Sequence, residues 1–294
     1  MKKTLFFVAL ALLAAACEKV SVEDMGNQEQ TKQPTQKTKK FKFTVKGDFL
    51  SPTFMRAASY LTADDNDMID LWVFDFMGDE FVQSIHQTAS DEDWGQPTLP
   101  LAYGDHHVYF VASRGQEPTL NETTKTIVWN GPRDTFWKDY EVTVVATSNG
   151  NRSVTLDRVV TKLKVAATDE VKTGASTLSV TPALWYYGLN YTTGEPVDGR
   201  VNQERSVSIP TSYIGTTGTL TMNVFGFSTA TEWATNVTVT AKNSGGETMG
   251  TAIITDAPML RNRATEYSGP IFGSEGQATV SVNKEWLTST TGTW

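Results

Sequence analysis

From residue 40 onward, apolar and polar side chains alternate with a period of two. In KFKFTVK (40–46), Phe41, Phe43 and Val45 fall on one side and Lys42, Thr44 and Lys46 on the other. That is the signature of a strand with one face in a core and the other in water. The stretches YEVTVVA (140–146), VTKLKVAA (160–167), TLTMNVFGF (219–227), NVTVTAK (236–242) and ATVSVNKEW (278–286) repeat it. LWVFDF (71–76) and VYFVAS (108–113) are apolar almost throughout, which predicts strands covered on both faces. Turn-forming clusters separate the strands: SNGN (148–151), TTGEPVDG (192–199) and NSGG (243–246). A 3.6-residue period is sustained nowhere, and the one helical turn expected lies around residues 134–139. The pattern predicts an all-β chain of two β-sandwich domains, 41–155 and 156–294, divided near the turn SNGNR.

The first forty residues break this pattern. Lys2 and Lys3 precede an apolar run, 5–16, which ends in Ala14, Ala15 and Ala16 just before Cys17, the only cysteine of the chain. The run is well short of the ~20 residues needed to cross a bilayer, and its layout is that of a secretory signal. The segment resembles a lipobox with one departure, Ala14 standing where leucine is usual. A lipobox implies acylation of the Cys17 sulfur and cleavage before it, which makes Cys17 a membrane anchor. The plainer alternative is an ordinary cleaved signal, which leaves an unpaired thiol in an oxidising compartment. Residues 1–16 are read as the signal peptide. Residues 17–40 contain no aromatic side chain and few aliphatic ones, too little apolar surface to offset the cost of ordering, and are read as a flexible tether.

Composition narrows the chemistry. The chain carries 25 basic and 33 acidic residues, a net charge of −8, and no basic patch, which argues against a nucleic-acid partner. His106 and His107 are neighbours on a predicted strand, so they point to opposite faces and cannot share an ion. With neither thiolate pairs nor an H-x-x-x-H spacing, no metal or cofactor is expected. The acidic runs DDND (64–67) and DED (91–93) lie in turn contexts; the first lacks the glycine and distal glutamate of a calcium loop, and both read as solvated. No G-x-S-x-G elbow or phosphate-binding loop is present, and the chain is expected to be non-enzymatic. Trp185, Tyr186 and Tyr187, with Tyr191 nearby, either form a sugar-stacking platform or fill a sandwich core.

Five stretches taken in order carry a family likeness: LWVFDFMGDEFVQSIHQ (71–87), LAYGDHHVYFVASRG (101–115), VTLDRVVTKLKV (154–165), PMLRNRATEYSGPIF (258–272) and VSVNKEW (280–286). Together with the lipobox they resemble the fimbrillin-like, or type V pilin, subunits of Gram-negative anaerobes, most closely their accessory lipoproteins. The resemblance implies paired sandwiches of transthyretin-like topology and display at the outer-membrane surface through lipid on Cys17. It also implies other fimbrial subunits as partners and, in adhesion, a host surface protein or glycan. In polymerising members a protease cuts after the first strand, and a neighbour's strand fills the groove that results. The matching pair here is Arg56-Ala57, otherwise a plain surface arginine in a loop. The matching donor is the stretch 278–294, with Val280, Val282 and Trp286 as pocket-filling residues, unless it closes its own domain as an ordinary last strand. The implied function is that of a structural surface lipoprotein, an anchor or minor subunit of a fimbrial system. The alternative is a glycan-binding surface lipoprotein.

Overall fold

A computed structural model describes residues 37–47 and 68–273, together with the backbone of 279–281. Among the described residues every regular element is a strand, apart from one 3-10 turn at Thr211–Tyr213. The all-β class read from the sequence is the class observed.

Seven strands form the first sheet: β1 (Thr38–Gly47), β2 (Asp70–Met77), β3 (Glu80–Thr88), β4 (Thr98–Ala102), β5 (Gly104–Ser113), β8 (Thr135–Val144) and β9 (Asn151–Arg158), in the order β3-β2-β5-β8-β9-β1-β4. The ribbon is barely joined where β8 meets β9, through Phe136↔Arg158 and Trp137↔Asp157 alone. Its two parts therefore close over one core. Phe41, Phe43, Leu99, Leu101, Val154 and Leu156 from one part pack with Leu71, Val73, Val108 and Phe110 from the other.

A second sheet runs β19-β18-β10-β15-β12-β7-β6. It comprises β6 (Gln116–Asn121), β7 (Thr126–Gly131), β10 (Val160–Ala167), β12 (Leu184–Asn190), β15 (Thr221–Phe227), β18 (Ala264–Gly269) and β19 (Thr279–Ser281), with β13 (Pro196–Val201) paired to β12. The third sheet holds β14 (Arg205–Ser208), β11 (Ala175–Pro182), β16 (Trp233–Asn243) and β17 (Thr248–Met259), in that order. Leu163, Val165, Leu178, Val180, Trp185, Val237, Val239 and Tyr267 fill the space between these two sheets.

A third cluster explains the apolar runs. Trp72, Phe74 and Phe76 of β2 and Tyr109 and Val111 of β5 face away from the first core and pack on Ile127, Trp129, Leu189, Tyr191 and Phe227 of the second sheet. β2 and β5 are thus covered on both sides, as their composition predicts. The hairpin β6–β7 lies in the second sheet, where Val128 and Ile127 pair with Gly188 and Leu189. Pairing between such distant segments leaves no trace in local periodicity.

Two local readings are corrected. Residues 134–139, expected as a helical turn, lead into β8, which pairs with β5 across ten residues from Thr135 to Val144. Phe136 and Trp137 drive this, because one fills the first core while the other packs against the third cluster. β1 begins at Thr38, so the last three residues of the expected tether are strand, paired with Ala102, Leu101 and Pro100.

The two halves repeat a connection that the sequence conceals. β1 runs parallel to β9 and antiparallel to β4. β10 runs parallel to β18 and antiparallel to β15. Each half therefore opens with a strand set parallel to one of its late strands.

Candidate functional site: the first strand and its slot

β1 behaves as a plug. Its alternation drives Phe41 and Phe43 (each 0% exposed) and Val45 inward while Lys40, Lys42 and Lys46 face water. Phe43 meets Phe110 and Tyr140 edge-on, with ring centroids 5.2 and 5.7 Å apart. Phe41 lies 6.3 Å from Phe43, and the Arg152 guanidinium stands 5.2 Å over its ring. Burying three such side chains contributes about 5–9 kcal/mol. Backbone N–H groups of Lys42, Phe43 and Val45 donate to the carbonyls of Gly150, Pro97 and Gly95, and Lys39 Nζ donates to Ala146 O at 2.8 Å. Gly150 permits the approach: a Cβ there would lie 2.4 Å from Lys40 O.

β1 lies between β4 and β9, so its departure would leave two unpaired strand edges facing each other across an apolar slot. The chain runs on from Gly47 into residues 48–67. That segment includes Arg56 and Ala57, which lie outside the described residues, as do Cys17 and the expected signal peptide.

At the other end of the chain, β19 pairs with β18 through Glu266↔Ser281, Tyr267↔Val280 and Ser268↔Thr279. Val280 therefore stands in this chain's own sheet through its backbone; Val282 and Trp286 lie outside the described residues. Just before this segment the chain is clamped. The Asp169 carboxylate accepts the backbone N–H groups of Ile271, Phe272 and Gly273 at 2.9, 2.7 and 2.8 Å, and Lys172 Nζ donates to Phe272 O. Ile271 and Phe272 are buried in the second core.

The four aromatic residues considered as a sugar platform do not form one. Trp185, Tyr187 and Tyr191 are 1%, 2% and 1% exposed. Trp185 Nε1 donates to Phe225 O, Tyr191 stacks on Phe74 at 3.9 Å, and Arg200 covers the Tyr187 ring at 4.2 Å. Tyr186 is half-buried, edge-on to Trp233. Strand alternation and the third cluster enclose these rings, leaving no flat row open to a ligand.

His106 and His107 take opposite faces, as strand geometry requires. His106 is buried, its Nδ1 2.6 Å from Asp75 Oδ1 and its Nε2 2.9 Å from Ala102 O. Gln83 Nε2 donates to Asp75 Oδ2 and to Pro100 O, and the network joins β2, β3 and β5 to β4 through the first core. Asp91 of the DED run accepts from Thr88 N in an exposed turn. A small cavity behind β18 is lined by Val165, Val239, Ala252, Ile254, Ile271 and Tyr267 among others; none of its lining residues is a carboxylate, imidazole or amine. Sequence reasoning missed the Asp169 clamp and the Asp75–His106–Gln83 network, since each joins residues far apart in the chain.

Among curated proteins none matches the chain. Solved structures resemble it at low identity, the following three among them. A candidate adhesin from Bacteroides ovatus has a TM-score of 0.48 and 9% identity, covering 84% of this chain and 94% of that one. A fimbrial assembly protein from Parabacteroides distasonis has a TM-score of 0.47 and 12% identity over 83% and 96%. The tip fimbrial protein Mfa3 from Porphyromonas gingivalis has a TM-score of 0.44 and 14% identity over 84% and 100%. Residues 110–292 match the model of a family of unknown function, DUF6562, and the chain belongs to that family.

Proposed function

We propose that the protein is a structural surface lipoprotein of a fimbrial system, an anchor or minor subunit that assembles by β-strand complementation. In this reading it is held to the outer membrane through lipid on Cys17, its partners are other fimbrial subunits, and it aids adhesion. The observation that carries the reading is β1. It is a single strand with three buried side chains, flanked on both sides and followed by the segment that holds Arg56. A copy that keeps β1 is complemented by its own chain and stays with its lipid. A copy cut after Arg56 sheds β1 and the lipid together and offers its slot to a neighbour. An extended segment filling that slot would regain ladder hydrogen bonds with β4 and β9 and return apolar side chains to the places of Phe41, Phe43 and Val45.

The test has two parts. Mass spectrometry of the native protein should find either an acylated Cys17 or a start at Ala57. Protein trimmed by an Arg-specific protease should then take up a labelled peptide of residues 278–294 from a second copy or another subunit, while uncut protein does not. A free, unmodified Cys17, or trimmed protein that loses 37–56 and binds no strand, would overturn the proposal.

A further inference from the structure

We propose that His107, Asp139 and Glu141 form a binding site for a divalent transition-metal ion. The site is built by the register of β5 and β8. On the face that packs toward the second sheet, Val111 stands opposite Trp137, Tyr109 opposite Asp139, His107 opposite Glu141 and Asp105 opposite Thr143. In the first of these rungs Val111 is buried in the third cluster and Trp137, partly buried, packs against it. Along the same face the side chains then turn ionisable, with His107 and Asp139 part-exposed and Glu141 exposed.

One ligand atom from each of the three residues lies within 4.8 Å of the others. A zinc-like ion with bonds of about 2.0–2.2 Å holds tetrahedral ligand atoms roughly 3.4 Å apart. Small rotations of exposed side chains close that gap, while the ladder fixes the backbone. His107 Nδ1 already faces both Asp139 oxygens at 3.0 Å. An ion binds Nδ1 only where that nitrogen carries no hydrogen, and any hydrogen on it leaves to solvent as the nitrogen becomes a ligand.

Charge points the same way. Asp139 and Glu141 are alternate residues of β8, so their carboxylates lie on one face beside His107. Among the described residues no lysine or arginine forms an ion pair with any of them. An imidazole nitrogen with two carboxylates suits zinc, nickel or copper better than calcium, and three protein ligands leave a coordination position open. No sequence spacing announces the site, because His107 and Asp139 lie 32 residues apart.

The whole chain, prepared without a polyhistidine tag and stripped with chelator, is titrated with zinc alone by calorimetry. Cobalt absorption reports the ligand geometry. One saturable equivalent is expected, weakened at least tenfold by His107→Ala and by Glu141→Gln and unchanged by His86→Ala, with zinc raising the Tm of the unaltered and His86→Ala chains and of neither of the other two. Glu141→Gln keeps the shape of an exposed side chain, so its apo Tm should match that of the parent. No saturable binding, binding that survives both substitutions, or calcium bound as tightly with His107→Ala without effect would overturn the proposal.

Discussion

Arg158 is gripped from two directions. Its Nε and Nη2 donate to the two oxygens of buried Asp134 at 2.6 and 3.0 Å, its Nη1 reaches Asn262 Oδ1 at 3.1 Å, and Arg114 Nη1 also meets Asp134. Lysine has the charge but not the fork. Arg158→Lys should therefore cost about 2–4 kcal/mol, read by urea denaturation, because it breaks a largely buried pair and leaves Asp134 under-satisfied. Asp169→Ala would strand three backbone donors at once and should cost about 2–4 kcal/mol by the same measurement. Glu204 supplies a pH test. Two contacts from Lys242 Nζ at 2.8 Å, then one from Ser179, hold its carboxyl below the ordinary glutamate range, with partial burial opposing them. A carboxyl lowered on folding contributes stability above its unfolded value and loses it as pH falls through the folded one. Glu204→Gln should lower Tm slightly at pH 7 and leave it unchanged at pH 3. The pair is half-exposed, so the effect is small.

Phe43→Ala should destabilise the chain by about 3–5 kcal/mol, since the vacated space lies among Phe41, Phe110 and Tyr140 and cannot readily collapse. Gly150→Ala should loosen β1 without touching its side chains, because the new methyl meets Lys40 O. Hydrogen exchange at Lys42, Phe43 and Val45 would show faster opening there than in β10. The sequence announces β1, β10, β15 and β16 clearly, because each keeps apolar residues on one side over several positions. It announces the doubly covered β2 and β5 by the opposite sign, a near-absence of polar residues. It misses the course of 134–139 because one turn's worth of mixed residues fits either period, and only pairing with β5 decides. Which strand sits beside which is hidden for a related reason. Register is a property of two segments, and the alternation of one says only which side faces in.

The same limit governs larger organisation. The composition of 71–76 and 108–113 tells that something covers their far side, but not that Trp129, Leu189 and Tyr191 do so. The aromatic run at 185–191 is equally ambiguous in sequence, and packing between layers resolves it toward the interior. The repeated parallel pairing, β1 with β9 and β10 with β18, has a further consequence. A cut after β1 frees only what precedes it. β10 follows β9 after the single residue Val159, so a cut after β10 leaves it joined to the first half and frees no separate strand. In the strand-exchange reading proposed above, each copy would have one socket, and a polymer built that way would be a thread without branches.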